Sequence, residues 1–147
     1  ATVCVADGLT LLCGSLNVAA IDMNAVTDAL PVMAVCACFS KGTTVLGNVP
    51  HARIKETYHI SIMTRELSRL GADIEELPDG LLIRGGGLGG GSVNGHGDHR
   101  VVMALSVAGF AADGPVFIST AEAADVTYSG FWDAMRDIGG DVELRTD

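Results

Sequence analysis

Apolar and polar positions along this chain follow two registers, a two-residue alternation and a helical spacing, and the switches between them mark its elements. Val3-Cys4-Val5 and Thr10-Leu11-Leu12 flank Asp7-Gly8, the pattern of two strands joined by a tight turn. A strand then runs into Asp22, and Thr27 or Asp28 is placed to cap a helix reaching about Ser40, with Pro31 tolerated in its first turn and Gly42 as its stop. Thr43 to Leu46 reads as a short strand. From Glu56 onward Ile60, Met63, Leu67 and Leu70 recur at helical spacing, and Gly71 stands in the C-cap place. Asp73 to Leu77, Pro78-Asp79-Gly80 and Leu81 to Arg84 follow as strand, turn and strand.

The second half repeats the plan. Asp98 is placed to cap a helix through Ala112 that Gly114 stops; Val116 to Ser119 is a strand, Thr127 to Ile138 a helix and Asp141 to Leu144 a strand. Leu70-Gly71-Ala72-Asp73-Ile74-Glu75 matches Ile138-Gly139-Gly140-Asp141-Val142-Glu143, and Lys41 to Val45 matches Asp113 to Phe117. The fold class expected is therefore α/β, about two βαβαββ-type repeats with helices packed on mixed sheets. Repeat one covers about 1–84, Gly85 to Gly97 is a flexible, poorly ordered joint, and repeat two covers 98–147.

Composition narrows the class. A length of 147 residues predicts one domain with a sizeable core, and 19 glycines with 5% aromatics predict that the core is built from Ala, Val, Ile, Leu and Met. A formal charge of −9 with no basic patch argues against nucleic acid and anionic lipid as partners. Mean hydropathy is +0.38, but the longest apolar stretches, Ala29 to Phe39 and Val101 to Ala112, are shorter than the roughly 20 residues of a spanning helix, so no membrane is expected. The start at Ala1 resembles neither a signal peptide nor an initiator methionine, which suggests a piece of a longer chain. Cysteines at 4, 13, 36 and 38 form no C-x-x-C and read as buried thiols in a reducing cytoplasm.

Several groups could carry chemistry. Gly85, Gly87 and Gly90 satisfy G-x-G-x-x-G, but six glycines in seven residues meet that pattern by composition, and a surface loop is the better reading. His96, Asp98 and His99 could bind a metal, yet Asp98 is better placed as a helix cap, and no second cluster completes a coordination shell. His99 and Arg100 then lie at a helix start, where backbone N–H groups favour anions. Arg53-Ile54-Lys55-Glu56 puts two cations beside a carboxylate at a helix entrance; Lys55 and Glu56 are either a solvated pair or a proton-transfer pair. Asp22, at a strand edge before a helix, is either a cap or a base.

Asp22-Met23-Asn24, Arg53-Ile54-Lys55-Glu56-Thr57, the phrase from Glu66 to Glu76, and Asp98-His99-Arg100 with Met103-Ala104 resemble, in order and spacing, the C-terminal part of 5-enolpyruvylshikimate-3-phosphate (EPSP) synthases. The resemblance implies part of an enolpyruvyl transferase domain in a two-domain cytoplasmic enzyme of aromatic amino acid biosynthesis, with the N-terminal part of the enzyme missing here. It implies transfer of the carboxyvinyl group of phosphoenolpyruvate to the 5-hydroxyl of shikimate 3-phosphate by addition and elimination, with no metal or organic cofactor. By motif position Asp22 resembles the acid that holds the shikimate hydroxyls and serves as base, Lys55 the lysine beside it, Glu56 the carboxylate that moves a proton at the methylene carbon, and His99 and Arg100 the pair facing phosphoenolpyruvate.

The chain departs from the family pattern at three places. Where the family motif continues Asp-Arg, with an arginine that clamps phosphoenolpyruvate, this chain has Tyr58-His59; Val126 stands where a lysine is usual; His51 stands where an asparagine is usual. His51 and His59 are accordingly the less secure substrate contacts. Histidine cannot offer the bidentate fork of arginine, so weakened phosphoenolpyruvate binding is expected. Three readings follow: the C-terminal part of a working synthase, inactive by itself; a degenerate homologue that binds shikimate 3-phosphate at most; or a structural fragment without a ligand.

Overall fold

Among the described residues, a parallel pair of strands with a buried helix between them occurs twice, and the two copies pack helix against helix. The computed structural model describes residues 3–6, 9–12, 15–17, 19–49 and 57–145. The hairpin expected at the start is present, β1 (Val3–Ala6) pairing antiparallel with β2 (Leu9–Leu12), Ala6 opposite Leu9. β3 (Ala20–Asp22) leads through a 3₁₀ turn (Thr27–Ala29) into α1 (Leu30–Cys38), and β4 (Thr43–Gly47) returns parallel to β3. α2 (Thr57–Arg69), β5 (Asp73–Leu77) and β6 (Gly80–Arg84) complete a mixed four-stranded sheet of order β3-β4-β6-β5, in which β6 runs antiparallel to both neighbours. β7 (Gly91–Asn94), α3 (His99–Ala111) and β8 (Val116–Ser119) then repeat the parallel β-α-β step, followed by a 3₁₀ helix (Ala121–Val126) and α4 (Phe131–Asp137).

α1 and α3 are largely apolar because most of each is buried, although Val32 of α1 and Val107 and Phe110 of α3 are exposed. Leu30, Ala34 and Val35 of α1 and Val101, Ala104 and Leu105 of α3 enter one core with Ile60, Met63, Leu67 and Leu70 of α2, Leu81 and Ile83 of β6 and Val93 of β7. The four α2 residues are the helical stripe read from the sequence. Gly71, with φ of +88°, closes α2 in the left-handed conformation, its N–H donating to the Ser68 carbonyl and that of Ala72 to the Leu67 carbonyl. A second cluster packs Phe131, Trp132 and Met135 of α4 against Val102, Ala123 and Ala124.

Four expectations need correction. The first helix has neither Thr27 nor Asp28 as its cap: the N-cap is Ala29, which makes no side-chain cap bond, and Pro31 in the first turn removes one of the N–H groups a cap would serve. The glycine-rich run from Gly85 to Gly97 is not a tether. It contains β7, and the amides of Gly86 and Gly87 donate to Cys38, that of Gly89 to Leu70 and that of Gly91 to Pro115. The helix expected from Thr127 starts at Phe131, because Gly130 at φ of +82° interrupts it after the preceding 3₁₀ helix. Residues 141–145 form no strand; the segment has no ladder partner among the described residues, and its Val142 carbonyl accepts from the Arg136 side chain. No described helix is long and apolar enough to cross a membrane.

Candidate functional site

The C-terminal ends of the two parallel strand pairs carry Asp22 and lead to Asp98, His99 and Arg100, as expected where strands of such units deliver the chain into a helix N-terminus. At the first pair, β3 ends at Asp22 and β4 leads into Asn48, which holds φ of +60°. The Met23 amide donates to the Gly47 carbonyl at 2.9 Å and locks the strand ends together. Asp22 accepts from the Asn24 amide at 2.9 Å through Oδ1 and from the Asn48 side-chain amide at 2.9 Å through Oδ2. Those two bonds, the Asn24 amide foremost, hold the exposed Asp22 carboxyl below its usual range, so it is an anion with fixed oxygens.

At the second pair, the chain leaves β7 and enters α3 through Gly95, His96, Gly97 and Asp98. A Cβ at Gly95 would collide with the Val102 side chain, Thr120 Oγ1 and the Ser119 carbonyl, so only glycine passes there. Asp98 caps α3 as the sequence predicts: Oδ1 accepts from the Arg100 amide at 2.8 Å and the Val101 amide at 3.4 Å. Its Oδ2 meets His59 Nε2 at 2.9 Å. Partial burial raises the Asp98 carboxyl, but His59 and the two amides outweigh it and the net direction is down. His99 is half-buried in the first turn of α3. Arg100 Nη2 reaches back to Asp28 Oδ2 at 2.9 Å and joins the entrances of α1 and α3. Below that pair lies a shallow apolar cleft of about 210 Å³ between Pro31, Met103, Ala104 and Phe131.

A third polar cluster escaped the sequence reading. Glu66 of α2 has no exposed surface and accepts from the Asn94 amide at 3.0 Å, His96 Nε2 at 2.9 Å, Arg65 Nε at 3.0 Å and Arg69 Nη1 at 3.0 Å. Burial raises its carboxyl, and these four donors more than reverse the shift. The available signal was a carboxylate inside the apolar stripe of α2, next to Leu67 and flanked by two arginines. Glu66 and His59 together fix the loop between β7 and α3 to α2 at both of its ends. His96 and Asp98, candidate metal ligands with His99, therefore turn to Glu66 and His59.

The EPSP synthase (3-phosphoshikimate 1-carboxyvinyltransferase) family model matches residues 2–135. The chain belongs to the EPSP synthase family. The 3-phosphoshikimate 1-carboxyvinyltransferase of Ruminiclostridium cellulolyticum is 56% identical over 124 residues, covering 84% of this chain and 29% of that protein. The protein of the same name from Methanocella arvoryzae is 47% identical over 131 residues, covering 89% of this chain and 31% of the relative. An EPSP synthase structure from Acinetobacter baumannii matches with a TM-score of 0.77 at 28% identity, over 84% of this chain and 30% of that one. The chain thus spans less than a third of the length of these relatives.

Of the EPSP synthase site residues read from the sequence, Asp22, His99 and Arg100 stand at the strand-to-helix edges just described. His51, Lys55 and Glu56 lie outside the described residues, as does Arg53. His59 is buried, and its Nε2 faces Asp98. Val126 is 80% exposed at the end of the 3₁₀ helix, so it is not a core residue.

Proposed function

We propose that this chain is the C-terminal part of a cytoplasmic EPSP synthase, a partial enolpyruvyl transferase domain of about two repeats that acts with the N-terminal part of the same enzyme. The observation that carries the reading is the family match together with Asp22 and Asp98-His99-Arg100 at the outgoing ends of two like strand pairs. Its substrates are shikimate 3-phosphate and phosphoenolpyruvate.

In this reading Asp22, an anion with fixed oxygens, takes the proton of the 5-hydroxyl as that oxygen bonds to C2 of phosphoenolpyruvate. Glu56 delivers a proton to the methylene carbon, which becomes a methyl group. Removal of a proton from that methyl group expels phosphate and restores the vinyl group. Lys55 binds shikimate 3-phosphate beside Asp22; His99 and Arg100, at the positive end of α3, bind the phosphoenolpyruvate anion, with His51 as a further neighbour. A second reading, a degenerate homologue that binds shikimate 3-phosphate at most, is favoured by His59 and Val126 in the places of an arginine and a lysine.

Phosphate release by the full-length protein decides between them. Turnover that falls about 10²-fold or more in Asp22→Asn and Glu56→Gln supports the catalytic roles, since general acid and base groups contribute roughly 10²- to 10⁴-fold each. Binding of shikimate 3-phosphate without turnover supports the degenerate homologue. The 147 residues alone are expected to be inactive, because closure of a cleft brings groups from both sides into reacting geometry.

A further inference from the structure

We propose that His59 is a positioning residue, a buried strut that holds His99 and Arg100 in place for phosphoenolpyruvate without itself touching the substrate. The proposal rests on the functional reading above and gives His59 a different task from the arginine whose motif position it occupies.

The geometry runs through one carboxylate. His59 lies in the first turn of α2, three residues after Glu56, with only 6% of its surface exposed. Its Nε2 lies 2.9 Å from Asp98 Oδ2, while Asp98 Oδ1 accepts from the first free amides of α3. An ionised carboxylate only accepts, so the hydrogen of this bond sits on Nε2, and that nitrogen is not available to a ligand. Nδ1 is buried without a hydrogen-bond partner among the described residues. Asp98 therefore joins two helices: one oxygen fixes the start of α3 and the other fixes α3 to α2. His99 and Arg100 are the next two residues. Removing the His59 bond leaves Asp98 as the cap of α3 but frees the capped turn to open more often and to shift relative to α2. The expected loss falls on phosphoenolpyruvate, whose contacts are His99 and Arg100, and spares shikimate 3-phosphate, whose contacts are Asp22 and Lys55.

Three variants of the full-length enzyme test this. His59→Phe fills the buried space and has no N–H; His59→Gln keeps an N–H that reaches Asp98; Asp98→Ser keeps a capping oxygen for α3 and removes the acceptor of His59. For His59→Phe the KM for phosphoenolpyruvate should rise about tenfold, as for loss of one charge-assisted hydrogen bond, and that for shikimate 3-phosphate should stay within about twofold. Amide exchange at Arg100 and Val101 should quicken about tenfold in the same variant. His59→Gln should stay within about threefold of the parent in both measures, and Asp98→Ser should reproduce the KM change, with the double variant of His59→Phe and Asp98→Ser losing no more than either alone. If His59→Phe does not fold, His59→Gln and Asp98→Ser carry the test. Equal rises in both KM values, additive losses in the double variant, or unchanged phosphoenolpyruvate KM and amide exchange in Asp98→Ser and His59→Phe would each overturn the proposal. A parent enzyme that releases no phosphate overturns the functional reading instead, and amide exchange then decides by itself whether His59 holds α3.

Discussion

The entrances to α1 and α3 hold equivalent places in the two β-α-β units and are fastened by different means. α1 is entered through a 3₁₀ turn and Pro31, with no side-chain cap, and the link of its Asp28 to Arg100 is an exposed ion pair. α3 is entered through a loop clamped by a buried carboxylate, a buried imidazole and a capping aspartate. Backbone stiffness and exposed carboxylate bonds, those of Asp22 and Asp28, set the first entrance, and buried or half-buried charged hydrogen bonds set the second. The first should therefore be less sensitive to pH and to single polar substitutions than the second.

The largest effect is expected at Glu66. Glu66→Ala leaves the Asn94 amide and His96 without their acceptor beside two half-exposed arginines, and should lower the opening free energy of the β7-α3 loop by about 3 kcal/mol, read by amide exchange in the full-length enzyme. A loss no greater than that of a surface variant would erase the contrast between the two entrances. Asp98→Ala comes next, at about 1 to 2 kcal/mol for a lost cap with its partner His59 stranded, whereas Asp28→Ala should cost less than about 1 kcal/mol because it breaks an exposed pair.

Acid should separate the entrances without mutation. Glu66 and Asp98 both titrate below their ordinary values of 4.5 and 3.8, so their contribution is fully present above those values and is lost as the pH falls through the lower folded values. As the pH falls below about 4.5 the amides around His96 and Arg100 should lose protection before those of α1 do, and Glu66→Gln should flatten the difference. The smallest effect is expected at Val126. Since this side chain is 80% exposed, Val126→Lys should change stability by less than about 0.5 kcal/mol while tightening phosphoenolpyruvate binding more at low salt than at high, and a lowered melting temperature would show that the position bears load.

The sequence made legible what local chemistry decides. Asp98 reads as a cap because a short acceptor before an apolar helical run has one good use, and Gly71 and Pro78-Asp79 read as stop and turn because few residues fit those backbone angles. β7 was not legible: its Gly91 and Asn94 carry little strand propensity, and its pairing with β8 comes from a partner some 25 residues downstream that periodicity does not see. The same dependence on a partner misled in the other direction at Asp141 to Leu144, where a strand-like pattern has no ladder partner among the described residues. Within the site, Asp22, His99 and Arg100 were legible as charges at element boundaries. Glu66 was not, because a carboxylate on a helix normally reads as solvated; only the fold shows that four donors surround it.

The loop after β7 has one more neighbour, Thr120, which follows β8 with φ of +59° and whose Oγ1 accepts from the Gly97 amide at 3.0 Å. A β-branched residue in the left-handed region stores roughly 1 to 3 kcal/mol of backbone strain. Stability alone would favour glycine here, and glycine has no oxygen to offer Gly97. The position is thus a trade between two selected quantities: Thr120→Gly should relax the backbone and at the same time loosen the turn that presents Asp98, His99 and Arg100. Laboratory selection of this protein for heat resistance alone would be expected to find that substitution early, and to yield a sturdier molecule with a less ordered entrance to α3.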